Sequence, residues 1–346
     1  MSCEPVGYAI LGCGNIAGRH AQSLAALSEA RLVAAADPLR ERACALAERY
    51  DARPETSVEA LAGADDIEAV VISAPAPLHA ALASKLIASG KHVLIEKPID
   101  TDPTAARALV ARAHPRHAIL SVVSQHRFGL DVGWLRDRVR DGALGRPISI
   151  VASSLWSRDQ HYYEAAPGRG RSDASEGGVL LNQAVHTIDL LLWIFGPARS
   201  LSASCATLTH RIAVEDNACI QVRLESGALA TLIASTSVFP QASERFEVHF
   251  EHGAVVLEKG RVVMLQSRPD RPLPPLPSHS APAETDRLEG FRLQHLDFIA
   301  AVRGDREPLV TGPEACAVTE LVAAAYASAR DARSVDLDSS CGSPSE

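Results

Sequence analysis

Aromatic side chains are scarce in this chain, 4% of 346 residues. That leaves no stripe of rings on which successive nucleobases could stack. The net charge is −8 with no long basic run, so nucleic acid is not expected as the main partner, although local basic pockets are allowed. No apolar stretch reaches the ~18 residues needed to cross a bilayer, and no membrane association is expected. The opening Met1-Ser2-Cys3-Glu4-Pro5 lacks a basic segment followed by an apolar one, so no secretory leader is expected. Seven cysteines are scattered, as Cys3, Cys13, Cys44, Cys205, Cys219, Cys316 and Cys341. None forms a CxxC pair, and no Cys/His cluster has zinc spacing. Reduced thiols, a cytoplasmic location and no bound metal are the expectations. No internal repeat is visible.

What is present is ordinary globular usage, 47% hydrophobic and 22% charged, in a chain long enough for two domains. Over the first 120 or so residues, strand-like runs alternate with alanine-rich helical patterns. The strands are expected at Val6–Leu11, Arg31–Ala36, Ala69–Ser73, His92–Ile95 and Ala118–Val123. The helices are expected at Ala17–Leu27, Arg40–Arg49, Pro77–Ser89 and Thr104–Ala113. Such alternation builds a parallel, doubly wound sheet from right-handed βαβ units.

Near Gln125 the pattern changes. A helix over Val132–Asp141 is followed by β-like runs at Ile148–Leu155, Ser200–Thr209, Asn217–Leu224, Leu229–Ser237, Arg245–His252 and Gly253–Leu257. One strongly apolar helix, Val179–Phe195, interrupts them and stops at Gly196-Pro197. Arg268–Ala283 carries six prolines and reads as a loop or arm. Two helices follow, around Leu288–Arg303 and Pro313–Arg330. The fold class is therefore α/β plus α+β. A Rossmann dinucleotide-binding domain over 1–124 precedes a domain over 125–333 with a large, open, mostly antiparallel sheet. A disordered tail is expected over 334–346.

The first strand ends in Gly12-Cys13-Gly14-Asn15-Ile16-Ala17, a GxGxxA turn. The first glycine permits the tight turn, the second lets the backbone approach a pyrophosphate, and small Ala17 lets the helix pack on the strand. The helix then points its N-terminal amides at phosphate. Any tight strand-to-helix turn can use glycines, but this one follows the first strand and opens a helix. Asp37 ends the second strand, where an acid binds the ribose hydroxyls of NAD; its plain alternative is a turn residue before Pro38. Arg40 could soften the preference, so NADP stays possible. Cofactor contacts are expected at Gly12, Gly14, Asn15, Ile16 and Asp37. Cys13 reads as a small filler, because no base stands beside it.

The fourth strand runs into Ser73-Ala74-Pro75-Ala76-Pro77-Leu78-His79 and the fifth into Glu96-Lys97-Pro98. Both are carboxyl ends of parallel strands, the edge where open α/β sheets bind ligands. Ser73, Pro75, Glu96 and Lys97 are expected there. A lysine in that place can move a proton once desolvation or a cation lowers its pKa. Its plain alternative is a surface lysine paired with Glu96. On the apolar helix, Asn182, His186, Asp189 and Trp193 recur on one face. A polar stripe on a buried helix either pairs within the core or lines a cavity, and four aligned positions favour the cavity.

Together, Gly12–Ala17, Glu96-Lys97-Pro98 and the run from Gly177-Gly178 through Asn182 and His186 to Asp189 resemble the Gfo/Idh/MocA oxidoreductase family, of the glucose–fructose oxidoreductase and inositol dehydrogenase type. Phe291, Gln294 and Phe298, and Arg306-Glu307-Pro308-Leu309-Val310, are also similar to it. The likeness runs from about Val6 to Arg330. It implies a dinucleotide domain followed by an open-sheet domain that pairs subunits into a homodimer or homotetramer. It also implies that Lys97 sits near the nicotinamide and that His186 joins it in catalysis. Many members carry Asp where this chain has Asn182. An amide is no proton acceptor, so Asn182 should orient a substrate hydroxyl while Lys97 or His186 carries the proton. Asparagine here also resembles the branch that includes nucleotide-sugar 3-dehydrogenases.

Gln125-His126-Arg127 follows the sixth strand. By the same resemblance, Gln125 would contact cofactor and Arg127 substrate; a polar linker is the alternative. His79 is read as a cofactor contact or as a cap of the helix starting at Pro77. The loop from Trp156-Ser157-Arg158 through Tyr162-Tyr163 to Gly168-Arg169-Gly170-Arg171-Ser172 mixes aromatics, arginines and glycines. It reads either as a mobile cover that recognises an anionic substrate through Arg158 and Tyr163, or as a solvated loop. The function expected is hydride transfer between nicotinamide and a secondary alcohol or ketone of a sugar, inositol or nucleotide-sugar. The alternatives are a glycosidase working through transient oxidation and a non-catalytic nucleotide-binding sensor.

Overall fold

The computed structural model describes residues 4–113, 118–165, 168–171, 177–242, 244–273, 275–277 and 287–337. These form two compact units. Residues 4–125 and 287–316 make the first, and residues 126–277 and 317–337 the second.

The first unit is built on a six-stranded parallel sheet. Its strands are β1 (Val6–Leu11), β2 (Ala30–Ala36), β3 (Arg53–Glu55), β4 (Ala69–Ile72), β5 (His92–Ile95) and β6 (Leu120–Val122), in the order β3-β2-β1-β4-β5-β6. Every residue of β1, β4 and β6 is buried, as a parallel sheet covered on both faces requires. The connecting helices are α1 (Ala17–Ala25), α2 (Arg40–Arg49), α3 (Val58–Ala62), α4 (His79–Ala88) and α5 (Pro103–Arg112). Local signals start several of them. Ser57 caps α3 by accepting the Ala60 amide, and Asp102 caps α5 by accepting from Thr104, with Pro103 at the first helical position. The short edge strand β3, centred on Pro54, has no counterpart among the strands expected from sequence; proline is confined to such edges.

The second unit carries α6 (Leu130–Arg140), β7 (Pro147–Leu155), α7 (Gln160–Glu164), α8 (Val179–Asn182) and α9 (Val185–Phe195), then β8 (Ala198–Ala206), β9 (Asn217–Leu224), β10 (Leu229–Ser235), β11 (Arg245–Phe250), β12 (Gly253–Glu258) and β13 (Arg261–Ser267). After them come α10 (Arg287–Val302), whose residues belong to the first unit, α11 (Gly312–Asp331) and β14 (Val335–Asp336). The eight-stranded sheet runs β13-β12-β11-β7-β10-β9-β8-β14 and is antiparallel except for β7 beside β10. Burial alternates along β9, so one face is covered and the other open.

Three expectations change. The first unit is not one continuous segment: it ends at Gln125 and takes up the chain again over 287–316. Residues Phe291, Gln294, His295, Phe298 and Ile299 of α10 recur at helical spacing and are all buried. The apolar ones pack with Tyr8, Ala17, Ala21 and Leu24 of the first unit. The apolar helix 179–195 is two helices, with a turn at Gln183-Ala184. The tail is ordered at its start: Val335 and Asp336 pair with Leu201 and Ser200, and Ser334 Oγ donates to the Leu201 carbonyl. The rest of the expected tail, 338–346, lies outside the described residues, as do Ser172 and residues 274 and 278–283 of the proline-rich arm.

Candidate active site

Register aligns the carboxyl ends of the parallel strands. Ala36, Leu11, Ile72, Ile95 and Val122 are successive neighbours across the sheet. Asp37, Gly12, Ser73, Glu96 and Val123 therefore stand side by side along one edge. Gly12 takes φ +96°, and a Cβ there would lie 2.6 Å from the Ser73 carbonyl carbon and the Ala74 nitrogen. The Ser73 hydroxyl donates to the Gly12 carbonyl at 2.6 Å and latches the two loops together. Ser73 thus shapes the turn, with its hydroxyl spent on the protein. Pro75 is exposed and opens the short turn Ala76–Leu78.

Gly14 and Asn15 are exposed, and a Cβ at Gly14 would meet nothing within 4 Å. Among the described residues no side chain caps the N-terminus of α1, and no acid stands in its first turn. An open glycine beside uncapped helix amides fits a pyrophosphate. The Asp37 carboxylate accepts the Cys13 amide through Oδ2 and the Leu39 amide through Oδ1, both at 2.9 Å. Each oxygen keeps lone pairs for ribose hydroxyls. The chain's own residues therefore fit a dinucleotide. Burial, then the charge of Asp37, pushes the Cys13 thiol up to about 12, so it is no nucleophile.

Lys97 is half-buried just past β5, and Glu96 accepts its amide through Oε2 at 3.1 Å. Glu96 is buried, and its Oε1 lies 3.0 Å from Nε2 of His20 on α1. His79 is no cap: it is the first residue of α4, past the N-cap Leu78. It is buried, and its Nδ1 and Nε2 lie 2.7 and 2.8 Å from the Pro98 and Ala74 carbonyls. It ties the loop after β4 to the Lys97-Pro98 loop. Gln125 lies in a short turn, with its Oε1 buried and without a hydrogen-bond partner among the described residues.

In the second unit, Asn182 ends α8 and His186 lies in the first turn of α9, both half-buried. The Asn182 amide donates to the Gly177 carbonyl at 3.2 Å. The His186 ring stands 4.6 Å from that of His126, whose Nδ1 is 3.8 Å from Glu244. Buried Glu215, absent from the sequence reading, grips the start of α8. Its Oε1 accepts the Leu180 amide and the Tyr326 hydroxyl, both at 2.9 Å. Burial raises its carboxyl above the usual range despite these bonds.

Half of the expected polar stripe pairs within the core. Asp189 takes a bidentate hold on Arg127, at 2.9 Å from Nε and 2.6 Å from Nη2, with both side chains buried. The Arg127 guanidinium also lies over Trp193. Arg127 thus has a structural part in the core beside the substrate contact expected of it. Tyr163 likewise points inward: its hydroxyl bonds Thr236 Oγ1 at 2.7 Å, and burial raises its pKa. Arg158 differs. Its guanidinium lies over the rings of Trp156 and Tyr162, and Arg169 lies over Tyr162 as well. Gln183 donates to the Tyr162 hydroxyl at 3.1 Å.

Among the described residues no cluster of His, Cys, Asp and Glu could hold a metal ion, and no helix is long and apolar enough to cross a membrane. Five described cysteines are free.

A parallel sheet in this strand order, with a glycine turn and an acid at its carboxyl edge, defines a dinucleotide-binding protein. Comparison with known proteins narrows the class. Residues 6–124 match the oxidoreductase family with NAD-binding Rossmann fold, and residues 133–256 match the GFO/IDH/MocA C-terminal domain. Inositol 2-dehydrogenase of Rhizobium meliloti (strain 1021) is 29% identical over 337 residues, 96% of this chain and 99% of the relative. The 1,5-anhydro-D-fructose reductase of Ensifer adhaerens is 30% identical over 269 residues, 75% of this chain and 76% of the relative. The WlbA dehydrogenase of Bordetella pertussis, crystallised with NADH and UDP-GlcNAcA, is similar with a TM-score of 0.86 and 28% identity, over 96% of this chain and 99% of that one. The chain belongs to the Gfo/Idh/MocA family and is an NAD-binding oxidoreductase.

His20 and Glu215 escaped the sequence reading. A signal existed for His20: residues 17, 20, 21 and 24 share one face of α1, so an imidazole among alanines and leucine should be buried. Nothing in the sequence around Glu215 links it to α8, 35 residues away.

Proposed function

We propose that the protein moves a hydride between nicotinamide and the carbon of a secondary alcohol or ketone on a sugar, an inositol or a nucleotide-sugar. The observation that carries this reading is the single sheet edge that presents an open glycine turn, Asp37 and Lys97 together. Gly12, Gly14, Asn15 and Ile16 hold the pyrophosphate, and Asp37 takes the ribose hydroxyls, which favours NAD over NADP. Glu96 and Gln125 complete the cofactor's surroundings. NAD, when bound, supplies the hydride acceptor for oxidation and the donor for reduction.

The protein's own part is orientation and proton transfer. The neutral Lys97 amine takes the hydroxyl proton in oxidation, and the ammonium returns it to the carbonyl oxygen in reduction. Asn182 and His186 hold the reacting hydroxyl in line. Arg158, with Nε buried and without a hydrogen-bond partner among the described residues, offers its fork to a phosphate or carboxylate on the substrate. Relatives include enzymes named for UDP-N-acetylglucosamine and inositol. The protein acts in the cytoplasm, where its thiols stay reduced. It works as a homodimer or homotetramer through the open face of its second sheet.

The test is a screen of inositols, aldoses, sugar acids and UDP-sugars with NAD and NADP, following absorbance of the reduced cofactor. The wild type should turn over with NAD and prefer the anionic form of a sugar over its neutral counterpart. Lys97→Ala should lose about 10²–10⁴-fold in kcat while still binding NAD. Full activity in that variant would remove Lys97 from its role. Tight NAD binding without oxidation of any compound would overturn the enzymatic reading.

A further inference from the structure

Behind Lys97 runs a buried chain of polar groups to which the proposed chemistry gives no part in proton transfer. Glu96 accepts the Lys97 amide through one oxygen and meets His20 Nε2 through the other. His20 Nδ1 in turn lies 3.0 Å from Nε2 of His295 on α10. His20 and His295 are essentially inaccessible, 0% and 1% exposed. Phe291 and His295 pack their rings edge-on against His20, and Tyr8 packs edge-on against His295. The titratable and charged groups around His20 are Glu96, Lys97 and His295. Tyr8 lies one layer further, with Glu68 and Arg303 acting on its hydroxyl.

A carboxylate only accepts, so His20 Nε2 carries a proton. Two imidazole nitrogens 3.0 Å apart need one proton between them. If His295 Nε2 bears it, His20 is neutral. If His20 Nδ1 bears it, His20 is a cation, and the His295 proton moves to Nδ1, which has no partner among the described residues. The chain can thus change charge without moving a heavy atom. Burial, then His20, holds the His295 imidazole well below its ordinary range, so His295 stays neutral. Burial opposes ionisation of Glu96, yet the hydrogen bond and charge of His20, then Lys97, hold its carboxyl below the usual range.

We infer that His20 is a positioning residue for Lys97, acting through Glu96: it fixes the carboxylate that holds the lysine's main chain and sets the net charge beside the amine. The inference rests on Lys97 as the proton carrier. With His20 cationic, the charge of Glu96 is offset and favours the ammonium less, so the amine loses its proton at lower pH. Without that cation, Glu96 stabilises the ammonium.

The experiment is the pH profile of kcat/KM for alcohol oxidation, which rises as Lys97 loses its proton. His20→Gln keeps a donor for Glu96 and cannot carry charge. It should move the acid limb up by about one pH unit, with NAD affinity within about 2-fold of wild type. Glu96→Gln removes the anion and should move the limb down. His20→Leu should shift the limb up and also lower kcat, because the carboxylate loses its anchor. A purely structural role would change thermal stability and leave the limb in place. A limb at the wild-type pH in His20→Gln overturns the inference, and Glu96→Gln decides in the same way if His20→Gln does not fold. Lys97→Ala separates the two claims. An inactive Lys97→Ala beside an unshifted His20→Gln sinks only the positioning role. An active Lys97→Ala sinks the reading beneath it.

Discussion

Gly12 and Gly14 stand two residues apart in one turn and answer to different constraints. Gly12 is held by the protein itself. Its φ of +96° strains any side chain, and a Cβ would meet the backbone of Ser73 and Ala74 at 2.6 Å. Gly12→Ala should therefore cost about 2–4 kcal/mol of stability, from left-handed strain and overpacking together. Gly14 is constrained only by what binds there. Gly14→Ala should leave the melting temperature within about 2 °C of wild type, because the added methyl touches nothing. It should weaken NAD at least about tenfold, some 1.4 kcal/mol. Thermal melts and NAD titrations of the two variants check the pair. A Gly14→Ala protein that melts early and binds NAD normally would assign that glycine to the fold.

At the scale of elements, the α8–α9 segment shows how a buried helix apportions its polar side chains. Asn182 and His186 stay half-buried near the break between the helices. One turn on, Asp189 is paired with Arg127, and a further turn on, Trp193 lies under the guanidinium groups of Arg127 and Arg136. An ionised pair this deep stands because it is bidentate, and removing one partner strands the other charge. Arg127→Leu should lower the unfolding free energy by about 3–5 kcal/mol in urea. A raised KM with intact stability would leave Arg127 only its part at the substrate site. Glu215 holds the other end of the segment through the Leu180 amide, which makes the placement of Asn182 depend on a residue of the loop before β9.

At the scale of the whole molecule, the open face of the second sheet is the feature left to explain. Register puts Val151 beside Thr231 and Ile233 beside Ser153, so Val151, Leu229, Thr231 and Ile233 share that face. Val151 is 48%, Ile233 46% and Leu229 54% exposed. The assembly proposed above would cover these apolar side chains. Light scattering should give a mass of two or four chains for the wild type, and Val151→Lys with Ile233→Lys should lower it. An unchanged monomeric mass in both proteins would remove the proposed assembly.

Much of this was legible in the chain. The period-2 and helical patterns marked nearly every long element, and the GxGxxA turn with Asp37 located the nucleotide edge, because those features are local. Lys97 was legible for the same reason, as the residue that closes a parallel strand. What was not legible was long-range. Arg127 and Tyr163 have the side chains of ligand-binding residues, and only their partners Asp189 and Thr236 reveal that they serve the core. The return of α10 to the first unit was hidden, since an amphipathic pattern shows that a face is buried and not what buries it.

Sequence by itself determined the parallel sheet, the glycine turn and the identity of the ionisable groups, all of which follow from neighbours within a few turns or strands. Tertiary structure alone decided which groups are spent on one another: Arg127 on Asp189, His79 on two carbonyls, His20 on Glu96. The physical reason is that desolvation and hydrogen bonding act through space, between residues far apart in the chain, as His20 is from His295 by 275 positions.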